Sequence, residues 1–150
     1  MRFAFRGRPV LPGNACGIAA VSHGGFNTHA SFFTSIHEPS DKAICADSGN
    51  ADLYGADLAN KVICVPGTTG STSGGAVWQR LAKLGNAPKA VLFSRRVDSL
   101  AAGGLIVAAI WAGGRIVVVD QLSDGFLETV MNGDAITIRA DGEVVVRRDR

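Results

Sequence analysis

The sequence predicts a single α/β domain with a mixed sheet. In its second half, short apolar runs rich in β-branched residues alternate with longer segments whose apolar residues recur at helical spacing. This alternation is typical of parallel strands joined by helices. The dipeptide Asp141-Gly142 between two alternating segments indicates a closing hairpin, which adds antiparallel strands. Since 150 residues suffice for one core, we assign residues 1–150 to one domain.

The N-terminal part carries weaker signals. Phe3 and Phe5 occupy alternate positions and predict one strand, and the small apolar segment Gly17–Val21 predicts another. From residue 23 to residue 60 the periodicity weakens, so we expect a long, partly irregular excursion. A loop of that length in a compact domain usually has a function and is seldom a mere connection. The short strands expected within it are Phe32–Ile36 and Ala43–Cys45.

The second half is regular. The apolar run Val62–Val65 predicts a strand that ends at Pro66, and a helix that ends at Gly85 follows it. Further apolar runs predict two more strands, and helical spacing predicts two more helices. The expected helices are Ser73–Leu84, Ser99–Trp111 and Asp124–Met131, and the remaining expected strands are Ala90–Phe93, Ile116–Val119, Ala135–Arg139 and Glu143–Val146.

Composition excludes several classes of function. Fifteen basic residues nearly balance thirteen acidic ones, and six arginines lie at the two ends, so we expect no nucleic-acid partner. The longest apolar stretch, residues 100–114, contains glycines and is shorter than the ~20 residues that cross a bilayer. We therefore expect no membrane partner. The three cysteines lack CxxC spacing, which favours buried thiols in a cytoplasmic protein. An apolar content of 47% suggests that a partner covers part of the surface.

The segment after Pro66 is the strongest candidate site. Its next nine residues are all Gly, Thr or Ser, and a predicted helix follows. The unpaired N–H groups of a helix start favour negative charge, so such a turn could bind an anion or stabilise a deprotonated serine. A nucleotide P-loop is excluded because the turn has no lysine, and all three histidines precede it, unlike in GxSxG hydrolases. On spacing alone, a capped helix start without chemistry remains the simpler interpretation.

The ordered motifs resemble the small subunit of the aconitase X family. The strand Lys61–Pro66 and the turn and helix start Gly70–Val77 resemble its signature, a strand ending in proline followed by a G-S-[ST]-x-G turn. No single piece is specific, but the ordered set covers nearly the whole chain. The other segments that resemble the family, in order, are 52–55, 87–93, 98–109, 133–134 and 141–142.

The resemblance implies a swivelling β/β/α domain like the fourth domain of aconitase, which closes over a larger domain. By the same resemblance Ser71 is the proton acceptor of a hydro-lyase, and Gly70, Thr72 and Ser73 bind the substrate. The implied partner is a large catalytic subunit that carries iron or an iron–sulfur cluster. We expect no metal on this chain, because its cysteines are scattered and its histidines lack i, i+4 spacing.

The segment Gly25–Phe32 resembles the family's Ser-Phe loop near the active site, which makes His29 and Ser31 candidate substrate ligands. For His29 a hydrogen bond within the loop is the alternative. Where the archaeal form continues with Trp-Gly-Gly, this chain has Phe33-Thr34-Ser35, which favours the bacterial branch and cis-3-hydroxy-L-proline as the small hydroxy acid substrate. Two alternatives remain open: a non-catalytic module that binds a small anion or a partner, and an isomerase of the same superfamily.

Four further polar positions have plain interpretations. Arg95 and Arg96 follow a strand end, a common place for site residues in α/β sheets, but a solvated pair is the simpler reading. Asp98 and Asp120 are expected to be caps or turn formers.

Overall fold

The computed structural model describes residues 1–38, 40–69, 74–111 and 116–149. Within these ranges the chain forms a mixed α/β domain. The strands are β1 Arg2–Arg6, β2 Arg8–Leu11, β3 Ala15–Val21, β4 Phe26–Asn27, β5 Val62–Val65, β6 Thr68–Thr69, β7 Ala90–Phe93, β8 Val117–Asp120, β9 Ala135–Ile138 and β10 Glu143–Arg147. The helices are α1 Thr28–Ser31, α2 Phe33–His37, α3 Gly74–Leu84, α4 Ser99–Trp111 and α5 Asp124–Thr129.

Eight of these strands form one sheet in the order β1-β10-β9-β3-β5-β7-β8-β2. The four central strands β3, β5, β7 and β8 are parallel. On one side β2 adds an antiparallel edge, and on the other β9, β10 and β1 run antiparallel. Strand β3 joins the two parts, because residues 15–18 pair with β9 and residues 19–21 pair with β5. The predicted α/β class and mixed sheet are confirmed.

Apolar side chains cover both faces of the central strands. In β5, Ile63 and Val65 pack on the face covered by α3 and α4, whereas Val62 and Cys64 pack on the face covered by α5. A strand buried on both faces loses the alternation of polar and apolar residues, which explains its continuous apolar run. Trp78 of α3 is fully buried against the rings of Phe26 and Phe32.

Helices α3 and α4 lie in close contact where two glycines face each other. A Cβ atom added to Gly104 would overlap the backbone of Gly75 and lie 2.8 Å from its carbonyl oxygen. Only a residue without a side chain fits such an approach. The opposite side of α4 is uncovered and apolar. Its exposed side chains include Leu100, Ile106, Val107 and Ile110.

The excursion from residue 23 to residue 60 differs most from expectation. The strand predicted at Phe32–Ile36 is wrong, because residues 28–31 and 33–37 are helical. Phe32 and Ile36 are four positions apart, which is helical spacing, and Asn27 caps the first helix through its side chain. The strand predicted at Ala43–Cys45 is also wrong, since only Ile44 forms an isolated bridge, to Asp57.

Smaller differences concern one edge strand and one thiol. The sequence does not predict strand β2, because Pro9 interrupts this segment, yet β2 is an edge strand, where proline is tolerated. Cys45 and Cys64 are buried as expected, but Cys16 is exposed. Within the described ranges, no helix has both the length and the apolar character needed to span a membrane.

Candidate functional site

Four chain segments meet at the carboxyl edge of the parallel strands. The segment after β3 is fixed by the Ser22 N–H, which donates to the Cys64 carbonyl at 3.0 Å. The segment after β7 is fixed by the Ser94 N–H, which donates to the Val65 carbonyl at 3.1 Å, and Ser123 N–H reaches the Ser94 carbonyl at 3.0 Å. In open α/β sheets this edge is where ligands bind.

The hydroxyl-rich turn connects two elements at this edge. Strand β6 leads into it, and helix α3 begins at Gly74 directly after it. Gly70, Ser71, Thr72 and Ser73 lie outside the described residues. Their expected roles, with Ser71 as proton acceptor and the other three as substrate ligands, therefore stay predictions.

The stem of the turn, Gly67–Thr69, lies beside the predicted Ser-Phe loop. Strand β6 pairs in parallel with β4, so Phe26 faces Thr68 and Asn27 faces Thr69. The Phe26 N–H also donates to the Gly67 carbonyl at 2.9 Å. Two segments that are distant in the sequence thus reach the same place, as the resemblance implied.

His29 and Ser31 both lie on the short helix that follows β4, in different surroundings. His29 is half-buried and lines an open pocket of about 520 Å³ together with residues of α2 and α3, among them His37 and Arg80. Its ring packs edge-on against the Phe33 ring, with 5.7 Å between the ring centroids. Ser31 is fully buried, and its hydroxyl has no hydrogen-bond partner among the described residues. His29 is accessible to a ligand, whereas Ser31 is enclosed.

Asp98 also contacts the stem. Its carboxylate accepts a hydrogen bond from the Thr68 hydroxyl and another from the Ala101 N–H at 2.8 Å. The second bond caps α4, as expected for this aspartate. Partial burial acts to raise the pKa of Asp98, but the Thr68 hydroxyl and the N–H groups at the start of α4 outweigh it, so the pKa lies below its ordinary value. No sequence pattern predicts the contact between Asp98 and Thr68.

Asp120 forms an ion pair with the half-exposed Arg8 side chain instead of a simple turn. Its carboxylate is fully buried and accepts two bonds from the Arg8 guanidinium, at 2.9 and 2.7 Å. It also accepts the Val97 N–H at 2.8 Å, and so holds the segment that leads to Asp98. Beyond it, Gln121 and Ser123 have φ values of 56° and 91°, in the left-handed region that favours glycine. Such backbone strain often accompanies functional sites.

The basic pair after β7 is exposed, in keeping with a solvated position. Arg95 lines a small pocket with His23, Asp124 and Glu128, so acidic side chains share its surroundings.

The described parts of the chain contain no group of three or more His, Cys, Asp or Glu residues placed to hold a metal ion. Burial raises the pKa of the Cys64 thiol, with a further contribution from the charge of Asp134, which disfavours a metal-binding thiolate. The described residues therefore do not fit a cluster, and the expected cluster on a large subunit stays a prediction.

Known proteins match this chain along nearly its whole length. Residues 4–146 match the family model of the aconitase X swivel domain. The chain is 30% identical over 141 residues to the phosphomevalonate dehydratase small subunit of Archaeoglobus fulgidus, which covers 94% of each chain. It is 28% identical over 146 residues to the cis-3-hydroxy-L-proline dehydratase of Hypocrea jecorina, covering 88% of this chain and 23% of that protein.

A solved structure shows the same architecture. The crystal structure of Thermococcus kodakaraensis aconitase X in its holo-form superimposes with a TM-score of 0.80 and 26% identity, covering 97% of this chain and 99% of that one. The expected swivelling-domain fold is therefore confirmed. The chain belongs to the aconitase X swivel domain family, and it is the small subunit of an aconitase X-like hydro-lyase.

Proposed function

We propose that this subunit removes a proton from the carbon next to the carboxylate of a small hydroxy acid, with Ser71 as the proton acceptor. The observation that carries the proposal is that β6 and the start of α3, the two elements that flank the turn, lie at the carboxyl edge of the parallel sheet in a chain of this family. Gly70, Thr72 and Ser73 would bind substrate oxygens, and the accessible His29 of the neighbouring loop would complete this side of the site. Ser31 is left out of the proposed site, because its buried hydroxyl is closed to a ligand.

A serine hydroxyl is a weak acid, so it acts as a base only where its anion is strongly stabilised. Helix α3 has 11 residues and carries no acidic residue in its first turn. The N–H groups at such a helix start favour negative charge, and they do so much more strongly when water is excluded. The proposed base therefore needs a closed cleft, which one domain alone does not provide.

We infer that the covering partner is a large catalytic subunit. The Hypocrea jecorina relative supports this, since the matched region is only 23% of that chain and the rest of the protein is joined to it covalently. The exposed apolar side of α4 also supports a partner, because soluble proteins rarely leave contiguous apolar patches uncovered. Iron or an iron–sulfur cluster is expected on that subunit and not on this chain.

Two substrates are candidates within the proposed class. The sequence Phe33-Thr34-Ser35 departs from the archaeal loop pattern and favours cis-3-hydroxy-L-proline. The full-length relatives favour phosphomevalonate, because the Archaeoglobus fulgidus and Methanocella arvoryzae proteins, at 30% and 29% identity, are both named phosphomevalonate dehydratase small subunits. We place cis-3-hydroxy-L-proline first, since the departure lies beside the candidate ligand His29.

The test is reconstitution with the large subunit from the same source. Each chain alone and the assembled pair are incubated with either substrate, and the products are identified by mass spectrometry and NMR. We expect dehydration by the pair only, with cis-3-hydroxy-L-proline as the better substrate. Turnover by this polypeptide alone would contradict the proposal that catalysis requires the large subunit. Binding of a small anion by a pair without turnover of any hydroxy acid would favour a non-catalytic module, and a rehydrated product would indicate an isomerase.

A further inference from the structure

We propose that Asp98 is a positioning residue for the serine turn, acting through the hydroxyl of Thr68. The inference rests on the proposed function of Ser71 and adds a residue that contacts no substrate. Thr68 lies on the stem that leads into the turn, and Asp98 lies at the start of α4, thirty residues further along the chain. Their side chains join two elements that reach this edge of the sheet separately.

Asp98 can position the stem because it is itself fixed from both sides. On its N-terminal side, the Val97 N–H is bound at 2.8 Å by the buried Asp120 carboxylate, which the Arg8 guanidinium holds at 2.7 Å. On its C-terminal side, the Ala101 N–H bonds the Asp98 carboxylate at 2.8 Å. The buried Asp120 carboxylate has several partners and is therefore a rigid anchor for the backbone beside it. The position of Asp98, whose side chain is exposed, is thus set by the sheet and by α4 together.

The stem needs a second support because its first one is small. Strand β6 has two residues, and its pairing strand β4 also has two. Thr68 is half-buried and Thr69 is exposed, so packing alone holds the stem weakly. With β4 paired to it and Asp98 bonded to Thr68, the stem is held by two separate elements. A reacting group that is misplaced by about 1 Å can lose about 100-fold in rate, so fixing the stem bears directly on catalysis.

The ionised state of Asp98 suits this role. A hydroxyl that donates to a carboxylate forms a charge-assisted hydrogen bond, which is roughly twice as strong as one between neutral groups. The N–H groups at the start of α4 and the Thr68 hydroxyl together stabilise the negative charge. These groups stabilise the negative charge of Asp98 without a basic side chain beside the turn.

The experiment compares substitutions at Thr68 in the assembled pair. Thr68→Val removes the hydroxyl but keeps the branched shape, Thr68→Ser keeps the hydroxyl, and Asp98→Asn keeps a capping oxygen but removes the charge. Thr137→Val, on strand β9 away from this edge, is the matched control. We expect kcat to fall about 10- to 100-fold in Thr68→Val, with KM changed less than about threefold, and to recover in Thr68→Ser.

Two further measurements separate positioning from general destabilisation. The double variant Thr68→Val/Asp98→Asn should lose no more activity than the worse single variant, because both changes act on one contact. In the free subunit, amide exchange of residues 67–75 should accelerate in Thr68→Val and not in Thr68→Ser or Thr137→Val.

Full kcat and unchanged exchange in Thr68→Val would overturn the inference. Since the exchange measurement needs no substrate, it stands even if the proposed reaction fails. An active Ser71→Ala pair would refute the proposed function, whereas an inactive Ser71→Ala pair beside a fully active Thr68→Val pair would refute only the role of Asp98.

Discussion

Gly104→Ala tests whether the close approach of α3 and α4 fixes the start of the helix that follows the serine turn. The added Cβ would overlap the Gly75 backbone, and Gly75 is the second residue of α3. Because the obstacle is backbone and not the end of a flexible side chain, the two helices must move apart. The displacement therefore falls on the first turn of α3.

The expected size follows from two opposing effects. Replacing glycine by alanine inside a helix stabilises it by about 0.5–1 kcal/mol. Overpacking a tight contact costs about 1–3 kcal/mol, so the net loss of stability is at most about 2.5 kcal/mol, with a central value of about 1 kcal/mol. For a domain of this size, the central value lowers Tm by roughly 2–4 °C.

Gly103→Ala is the matched control for this prediction. It adds the same methyl group to the same helix, but nothing lies within 4 Å of the new Cβ position. Its Tm, measured by calorimetry on the isolated subunit, should therefore rise slightly or stay the same. The assembled Gly104→Ala pair should also lose activity, whereas Gly103→Ala should not. Equal Tm values for the two variants would refute the argument that backbone contact at Gly104 controls the position of α3.

Two further predictions concern stability and assembly. Arg148 binds the buried Asp134 carboxylate at 2.9 and 2.7 Å and lowers the pKa of Asp134. Arg148→Met should therefore lower the free energy of unfolding by at least about 1.5 kcal/mol at pH 7, whereas Arg147→Met, at the exposed neighbouring position, should not. A carboxylate whose pKa is lowered on folding stabilises the folded state above its unfolded-state pKa, which is about 3.9 for aspartate. The stability difference between Arg148→Met and the parent protein, measured by urea unfolding, should therefore shrink below about pH 4. A difference that stays constant with pH would contradict this role of Arg148. Ile110→Glu, on the exposed side of α4, should weaken binding of the large subunit at least about tenfold by calorimetric titration. Met131→Glu, at another exposed apolar position on the other layer, should not; equal affinities of the two variants would exclude this side of α4 from the interface.

The sequence predicts the elements that local chemistry determines. The bounds of Ala90–Phe93 and Ser99–Trp111 agree with the structure, because a strand buried on both faces and a helix capped by Asp98 both leave clear local patterns. Asp141-Gly142 correctly predicts the closing hairpin, with Gly142 at a φ of 93°. In the long excursion, short helices held by one cap and a few buried rings are too brief for periodicity to reveal.

Contacts between distant residues explain the remaining differences. The pairing of β4 with β6 joins two-residue strands that have no strand pattern of their own. The bond from Thr68 to Asp98 and the ion pair of Arg8 with Asp120 each link segments that only the folded sheet brings together. Sequence motifs and the resemblance locate the turn and its neighbouring loop, but not the side chains that support them.

The most direct test of the proposed mechanism is the turnover of the assembled pair with Ser71→Ala. Ser48→Ala, at an exposed position in the excursion, is the control, and complex formation is measured on the same samples. If Ser71 is the base, kcat should fall at least about 100-fold while the complex forms normally and Ser48→Ala keeps full activity. A fully assembled Ser71→Ala pair that retains the parent rate would contradict the assignment of Ser71 as the proton acceptor.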